Sequence, residues 1–431
     1  MKLSYKKTIL VGFAFFLICA FWQAYDNAIP LILKHKFQLG ETLSGLIMAL
    51  DNILALFMLP LFGALSDNLS IKHRRFGRRT PFIVIGTIVA VASFLYVPLI
   101  DNIYLFVGVL LISLIAMSVF RSPAVALMPD VTCKPHRSKG NAVINLMGTA
   151  GGICVLVLGI VFKTSEQGKT DFFLYILSTG ILMLIALSVF IFTVRENKWA
   201  KEMEENTEKY FPDKEILERD AENHGKLSKG QLISLIFILA SVALWYMGYN
   251  AVTSKYSTYA ADYLILDYNL TMMIAQGAAI ASYIPVGLIA SRIGRKKSIL
   301  FGVVLLFTAF FVAGFLRAGT SNYVMFALFA IAGIGWATIN VNSFPMVVEL
   351  AKSSDVGKYT GFYYTASMAA QAITPVLSGG IMDLFGNMYP LFPYAAVCVA
   401  FAFITMLFVK HGDNKPETPK DKIEMLAGAD D

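Results

Sequence analysis

The chain has 431 residues, 57% hydrophobic and only 15% charged, with a formal net charge of +7 and a mean hydropathy of +0.64. A soluble domain carries about a quarter charged residues. Here the charges sit in short clusters between apolar runs of about twenty residues or more, which excludes a soluble enzyme and reads as membrane spans. No short alternating strands suggest a β-barrel, and the basic residues follow loops, which excludes a nucleic-acid binder.

In chain order, Lys2, Lys6 and Lys7 precede an apolar stretch that could pass for a signal peptide. The apolar run continues to Leu33 without a small-residue cleavage site, so it reads as a first span. Spans are expected near 8–33, 42–66, 80–100, 103–128, 140–163 and 171–194, then near 230–255, 270–291, 298–317, 321–348, 357–383 and 389–410. Lipid leaves backbone polar groups no partner outside their own segment, so each span is a helix. The fold class is therefore an all-α membrane protein with twelve transmembrane helices in two six-helix bundles. Its expected divisions are an N-terminal bundle (1–194), a charged cytoplasmic linker (195–230), a C-terminal bundle (231–410) and a disordered cytoplasmic tail (411–431).

Alternate loops carry the basic clusters, notably Lys72 to Arg79, Lys134 to Lys139 and Arg292 to Lys297. The opposite side has only Lys34, Lys36, Lys163, Lys169, Arg317 and Lys255. This bias places both termini in the cytoplasm and suggests a multi-pass protein of the plasma membrane. The two halves also repeat each other. Trp22 with Tyr25-Asp26 is echoed by Trp245 with Tyr249-Asn250, Gly63 to Asp67 by Gly287 to Ser291, and Pro123 with Asp130 by Pro345 with Glu349. A parallel repeat implies pseudo-symmetric bundles and a site near the membrane midplane.

The run Gly63…Asp67…Arg75-Phe-Gly77-Arg78-Arg79 resembles the second-to-third-span signature of the major facilitator superfamily. The extra residues inside it, and Thr80-Pro81-Phe82-Ile83 after it, resemble the sugar:cation symporters of the sucrose-transporter and melibiose-permease branch. The chain departs from sucrose transporters in the fourth span, where Arg121 precedes Ser122-Pro123-Ala124 instead of following such a triplet. The resemblance implies transport by alternating access, with charges that tie helix ends together as a gate. Those are Asp67, Arg75, Arg78, Arg79 and Asp130 in the first half and Arg292, Arg295 and Glu349 in the second, where Ser291 replaces the Asp.

Charges inside spans are functional candidates because burying them in lipid is costly. Asp26 and Asp51 each lie about 10–14 Å below the outer surface by helical rise. As a pair they suit a proton-coupling site, unless one merely pairs with Asn27, Asn52 or Lys255. Arg121 could hold substrate hydroxyls or a carboxylate through paired donors, or form a structural ion pair. Its depth, roughly 10 Å from Asp51 by the same rise, argues against a direct bridge to it. Substrate-binding candidates are Arg121, Trp22, Tyr25, Asn145, Asn250, Trp336, Asn340 and Tyr364, since rings and amides suit the apolar faces and polar rim of a sugar. Such residues also serve as interface anchors and helix glue.

The histidines His35, His73, His136, His224 and His411 fall in loops or at span ends and read as solvated. The cysteines Cys19, Cys133, Cys154 and Cys398 are scattered without metal or disulfide spacing. No enzyme motif, metal site or cofactor is expected, and the coupling ion would be H+ or else Na+. The expected function is proton-coupled symport of a sugar or glycoside, disaccharide-like in size. The alternative is a proton-coupled antiporter exporting hydrophobic, drug-like compounds. A ligand sensor is disfavoured because no output domain is evident. Expected partners are a small-molecule sugar and membrane lipid, with no nucleic acid, and the protein is expected to be a monomer.

Overall fold

The computed structural model describes residues 4–68, 77–133, 137–210, 228–350 and 356–413. Among them the first half forms α1 (Tyr5–His35), α2 (Glu41–Asp67), α3 (Thr80–Tyr96), α4 (Ile103–Val131), α5 (Arg137–Val161) and α6 (Phe173–Thr193). A linker helix follows, α7 (Glu196–Tyr210). The second half forms α8 (Lys229–Tyr259), α9 (Tyr268–Ile293), α10 (Arg295–Ala313), α11 (Asn322–Val348), α12 (Val356–Phe385) and α13 (Leu391–Leu407). Among the described residues ten helices are long and apolar enough to cross a membrane; α9, a pair bent by 50°, is an eleventh when counted as one span, and α13 is a shorter apolar helix. The protein is a multi-pass helical membrane protein. Of the linker, residues 211–227 lie outside the described residues, as does the tail from residue 414.

Helices carry prolines at Pro30, Pro60, Pro123, Pro129, Pro285, Pro345 and Pro375. Membrane helices tolerate these because neighbouring helices and side chains satisfy the freed carbonyls. Helix α8 runs past the end expected at 255, into a π-helical turn at Ala260–Leu264. Lys255 does not mark a boundary: its ammonium is buried, 3.1 Å from both the carbonyl and a carboxylate oxygen of Glu41.

The chain forms two compact units. Unit 1 comprises Met1–Gly40, Leu46–Pro212 and Ala260–Leu270; unit 2 comprises Glu41–Gly45, Asp213–Tyr259 and Thr271–Asp431. In unit 1, α1 lies against α5 through small residues. A Cβ on Gly151 would stand 2.4 Å from the Phe16 carbonyl oxygen, and one on Gly148 would stand 2.8 Å from Cys19 Sγ. Without a hydrophobic driving force between helices in lipid, such close backbone approach supplies the packing attraction. A buried polar chain adds to it: Asn27 Nδ2 donates to Asn269 Oδ1 at 3.2 Å, and Asn269 Nδ2 to Thr164 Oγ1 at 2.9 Å. In unit 2 the same device joins α10 to α11, where a Cβ on Gly302 would stand 2.8 Å from the Gly335 carbonyl oxygen. The first turn of α2 belongs to this unit, held by Asp383, whose carboxylate accepts from the backbone N–H of Glu41 and of Thr42, both at 2.8 Å.

Candidate functional site

In unit 1, α1 is mostly apolar from Thr8 to Phe21, and its polar interruption falls at Trp22 to Asn27. Trp22 and Tyr25 pack edge to face with centroids 5.4 Å apart. Arg121 on α4 reaches over the Trp22 ring, 5.8 Å from its centroid, a cation–π arrangement. Asp26 and Asp51 lie within electrostatic range of each other, and Arg121 within range of Asp51. Asp51 Oδ1 also accepts from the Asn52 side chain at 2.7 Å. The other two partners considered for the acids are engaged elsewhere: Asn27 in the chain to Asn269, Lys255 with Glu41. Unit 1 therefore brings Trp22, Tyr25, Asp26, Asp51 and Arg121 into one cluster. Asn145 sits on α5, buried.

Unit 2 has an aromatic stack of its own. Tyr249 on α8 stacks face to face with Trp336 on α11, centroids 3.6 Å apart and planes 4° from parallel, and Tyr246 meets the same indole edge-on at 5.1 Å. Asn250 is the next residue on α8, and Asn340 lies one turn beyond Trp336 on α11. Tyr364 packs against Phe344 at 6.1 Å. Five of these candidate atoms are buried without a hydrogen-bond partner among the described residues: Trp22 Nε1, Tyr25 OH and Asn145 Nδ2 in unit 1, Asn250 Oδ1 and Asn340 Oδ1 in unit 2.

The charged helix ends form separate clusters. In unit 1, Arg79 is the hub. Its side chain is 4% exposed, Nε donates to Asp130 Oδ2 at 2.9 Å, and the other guanidinium nitrogens reach Asp67 and Ser66. Burial disfavours its charge, but the hydrogen bonds and charges of Asp130 and Asp67 outweigh that and hold it above the usual arginine range. Arg78 pairs with Asp130 at 2.9 Å. Arg75 lies outside the described residues. In unit 2, Arg295 Nε stands 2.7 Å from Glu349 Oε1, but its N–H is not aligned on that oxygen. Ser291 turns its hydroxyl back to the Leu288 carbonyl at 2.8 Å, and Arg292 is exposed.

Two carboxylates belong to these clusters that sequence reasoning left in the linker and tail. Glu196 is buried, and its oxygens accept from the backbone N–H of Arg78, Arg79 and Thr80, each at 2.8 Å, and from the Thr80 hydroxyl at 2.7 Å. It caps α3, where unsatisfied N–H groups and the helix dipole favour an anion. Gly77, at φ +83, makes room: a Cβ there would stand 2.3 Å from the Glu196 carboxyl carbon. Asp413 repeats the device on α10, accepting from Lys296 N at 2.8 Å beside Gly294 at φ +96. The signal was present in the two Gly-Arg pairs that open α3 and α10. Replacing Glu196 with Ala leaves several N–H groups orphaned and should lower stability by about 1–3 kcal/mol, read as denaturant or thermal unfolding in detergent. Asp413→Ala, which orphans one such group, should cost less.

The histidine expectation is corrected at two of the five. His35 is 10% exposed with both ring nitrogens engaged, and His411 Nδ1 lies 2.9 Å from Ser234 Oγ. Each partner is remote in sequence, which a local reading cannot see. His73, His136 and His224 lie outside the described residues.

A helical membrane protein with buried acids and an arginine in its spans, and ion-paired charges at its helix ends, has the anatomy of a small-molecule carrier. The sequence profile of the Major Facilitator Superfamily matches residues 11–281 and 266–428, and the chain belongs to that family. No curated protein matches the chain significantly. Among solved structures it is similar to the xylose transporter XylE from E. coli in an inward open conformation, with TM-score 0.69 and 15% identity over 96% of this chain and 98% of that one. It is similar to the nucleoside transporter NupG, with TM-score 0.64 and 13% identity over 94% and 99%. It also resembles a POT family transporter in complex with 5-aminolevulinic acid, with TM-score 0.69 and 11% identity over 94% and 95%. These likenesses establish the major facilitator fold.

Proposed function

We propose that this chain is a secondary active transporter that moves a sugar or glycoside together with protons by alternating access. The observation that carries the reading lies in unit 1, where Trp22, Tyr25 and Asn145 keep buried polar atoms unsatisfied among the described residues; unit 2 separately has such atoms at Asn250 and Asn340. Their mixed donors and acceptors suit a ligand that both gives and takes hydrogen bonds, as hydroxyls do. The Tyr249–Trp336 stack offers an aromatic face to the apolar C–H side of a sugar ring. Asp26 and Asp51, electrostatically coupled and buried in lipid-crossing helices, are the proton carriers. That XylE is a xylose transporter supports the substrate class. No resident cofactor is required.

The test is uptake of a labelled panel of mono- and disaccharides into proteoliposomes, with an imposed proton gradient, a sodium gradient, or neither. Accumulation of a glycoside driven by the proton gradient is expected. Accumulation driven by sodium alone would overturn the proton assignment. Transport of lipophilic cations with no saccharide uptake would favour the drug-export alternative.

Orientation follows from the basic loops. A cysteine at Lys297, exposed at the start of α10, should react with a membrane-impermeant maleimide only in inverted vesicles. Labelling in intact cells would reverse the topology and place the termini outside.

A further inference from the structure

His35 is the last residue of α1 and is nearly enclosed. Its Nδ1 lies 2.9 Å from the Lys169 carbonyl oxygen, and its Nε2 lies 2.9 and 3.0 Å from the two carboxylate oxygens of Asp262. Asp262 sits in the π-helical turn Ala260–Leu264 that ends α8. All three residues belong to unit 1. A carbonyl and a carboxylate only accept, so both ring nitrogens must donate. A neutral imidazole carries one N–H and would turn a lone pair toward one of these oxygens. Moving the proton onto Asp262 leaves the count unchanged. The docked arrangement therefore binds one proton more than a neutral ring beside an ionised carboxylate.

The surrounding charges are otherwise engaged. On α1, Lys34 Nζ approaches Asp262 at 3.5 Å, which favours the ionised carboxylate, and Lys36 pairs with Asp101 at 2.8 Å. On the α5–α6 loop, Lys163 pairs with Glu166 at 3.7 Å, Lys169 Nζ donates to the Phe162 carbonyl, and Asp171 accepts from Phe173 N. After the turn, Asp267 accepts from Ser165 and from the Asn269 backbone and side chain. Tyr263 lies under the Lys34 ammonium.

The turn itself is strained. It is followed at once by Ile265 at φ +57, in the left-handed region that a β-branched side chain avoids. Such backbone persists only where the surroundings hold it. The contacts that hold this one include the imidazolium bridge.

We infer that His35, Asp262 and the Lys169 carbonyl form a proton-operated latch that holds the Ala260–Leu264 turn against the end of α1. It is a titrating device separate from Asp26 and Asp51, at the end of α1 that the basic-loop asymmetry assigns to the outer face. With the ring charged, both bonds are made and the turn is docked. As the ring loses its proton one bond is lost, and the turn releases more readily. The latch makes acid on that face a restraint on the turn and alkali a release. Its effect on turnover rests on the transport reading above, but the latch itself does not, so the test reads the turn and not uptake.

The experiment is hydrogen exchange on the purified full chain from about pH 5.5 to about pH 8.5, spanning the ordinary histidine range. Rates at residues 260–266 are corrected for the intrinsic pH dependence of amide exchange. Protection there should fall as pH rises, by at most about tenfold per pH unit, the limit for one linked proton. His35→Gln, whose amide does not titrate in this range, should flatten the profile, while Asp26→Asn should leave its slope intact. A flat wild-type profile, an unchanged slope in His35→Gln, or a slope lost in Asp26→Asn would each overturn the proposal. Should His35→Gln fail to fold, 15N-histidine spectra of the wild type decide the matter. A ring with both nitrogens protonated at neutral pH is expected for His35, and a neutral ring beside an ionised Asp262 sinks the latch.

Discussion

Asp26→Asn is expected to abolish proton-driven accumulation while sparing exchange of substrate across the membrane. The amide keeps the shape and polarity of a protonated carboxyl but cannot release a proton. The carrier then cycles loaded at that position whatever the gradient, and the internal substrate level stops at the external one. Asp51→Asn should act in the same direction, because the two acids are electrostatically coupled and Arg121 acts on Asp51. Its effect should be smaller, since the Asn52 side chain and Arg121 continue to shape that site. Removing Arg121 exposes the acids to each other, so Arg121→Gln should weaken coupling even where substrate still binds. The measurement is paired: gradient-driven uptake against counterflow in the same proteoliposomes. Full concentrative uptake by Asp26→Asn would make that residue structural.

The spans were legible because lipid imposes a single rule on long apolar runs, and the helices observed begin and end close to those runs. Helix α8 was the exception, for a reason that recurs. A lone Lys255 looks like a boundary until a distant Glu41 neutralises it. His35 likewise reads as solvated until Asp262, over two hundred residues away, encloses it. The buried acids of the candidate site stood out because a charge in an apolar run is anomalous without knowing its partner. Arg121 was placed by helical rise, which fixes the Cα and not the guanidinium; the side chain then folds over Trp22. Glu196 and Asp413 were hidden for the opposite reason. A carboxylate in a charged linker or polar tail is unremarkable, and only the three-dimensional approach to a glycine-opened helix start gives it a role.

Arg79→Gln should have the largest effect among the helix-end charges. The guanidinium is nearly fully buried and joins Asp130, Asp67 and Ser66 in one network, so its loss leaves carboxylates facing each other, with Arg78 the other cation paired to them among the described residues. Breaking a buried pair by removing one partner costs about 3 kcal/mol, and the exposure of Asp67 lowers that figure here. The equivalent loss in unit 2 should be smaller. Among the described residues Arg295 is ion-paired with Glu349 alone, and Asp413 adds a charge from farther off. Ser291→Ala should change almost nothing, because its hydroxyl serves only its own helix backbone. In a two-state carrier about 1.4 kcal/mol shifts a population ratio tenfold, so these differences are readable as accessibility. A single cysteine introduced at position 145 should alkylate at least about tenfold faster or slower in Arg79→Gln, and within about threefold of the parent in Arg295→Gln. The reverse order, or a large change in Ser291→Ala, would show that the helix-end charges of unit 1 are not the stronger lock. The asymmetry itself has a chemical origin: the second half carries a serine where the first carries Asp67, and a helix-end arginine with one acid to hold is released more easily than one with two.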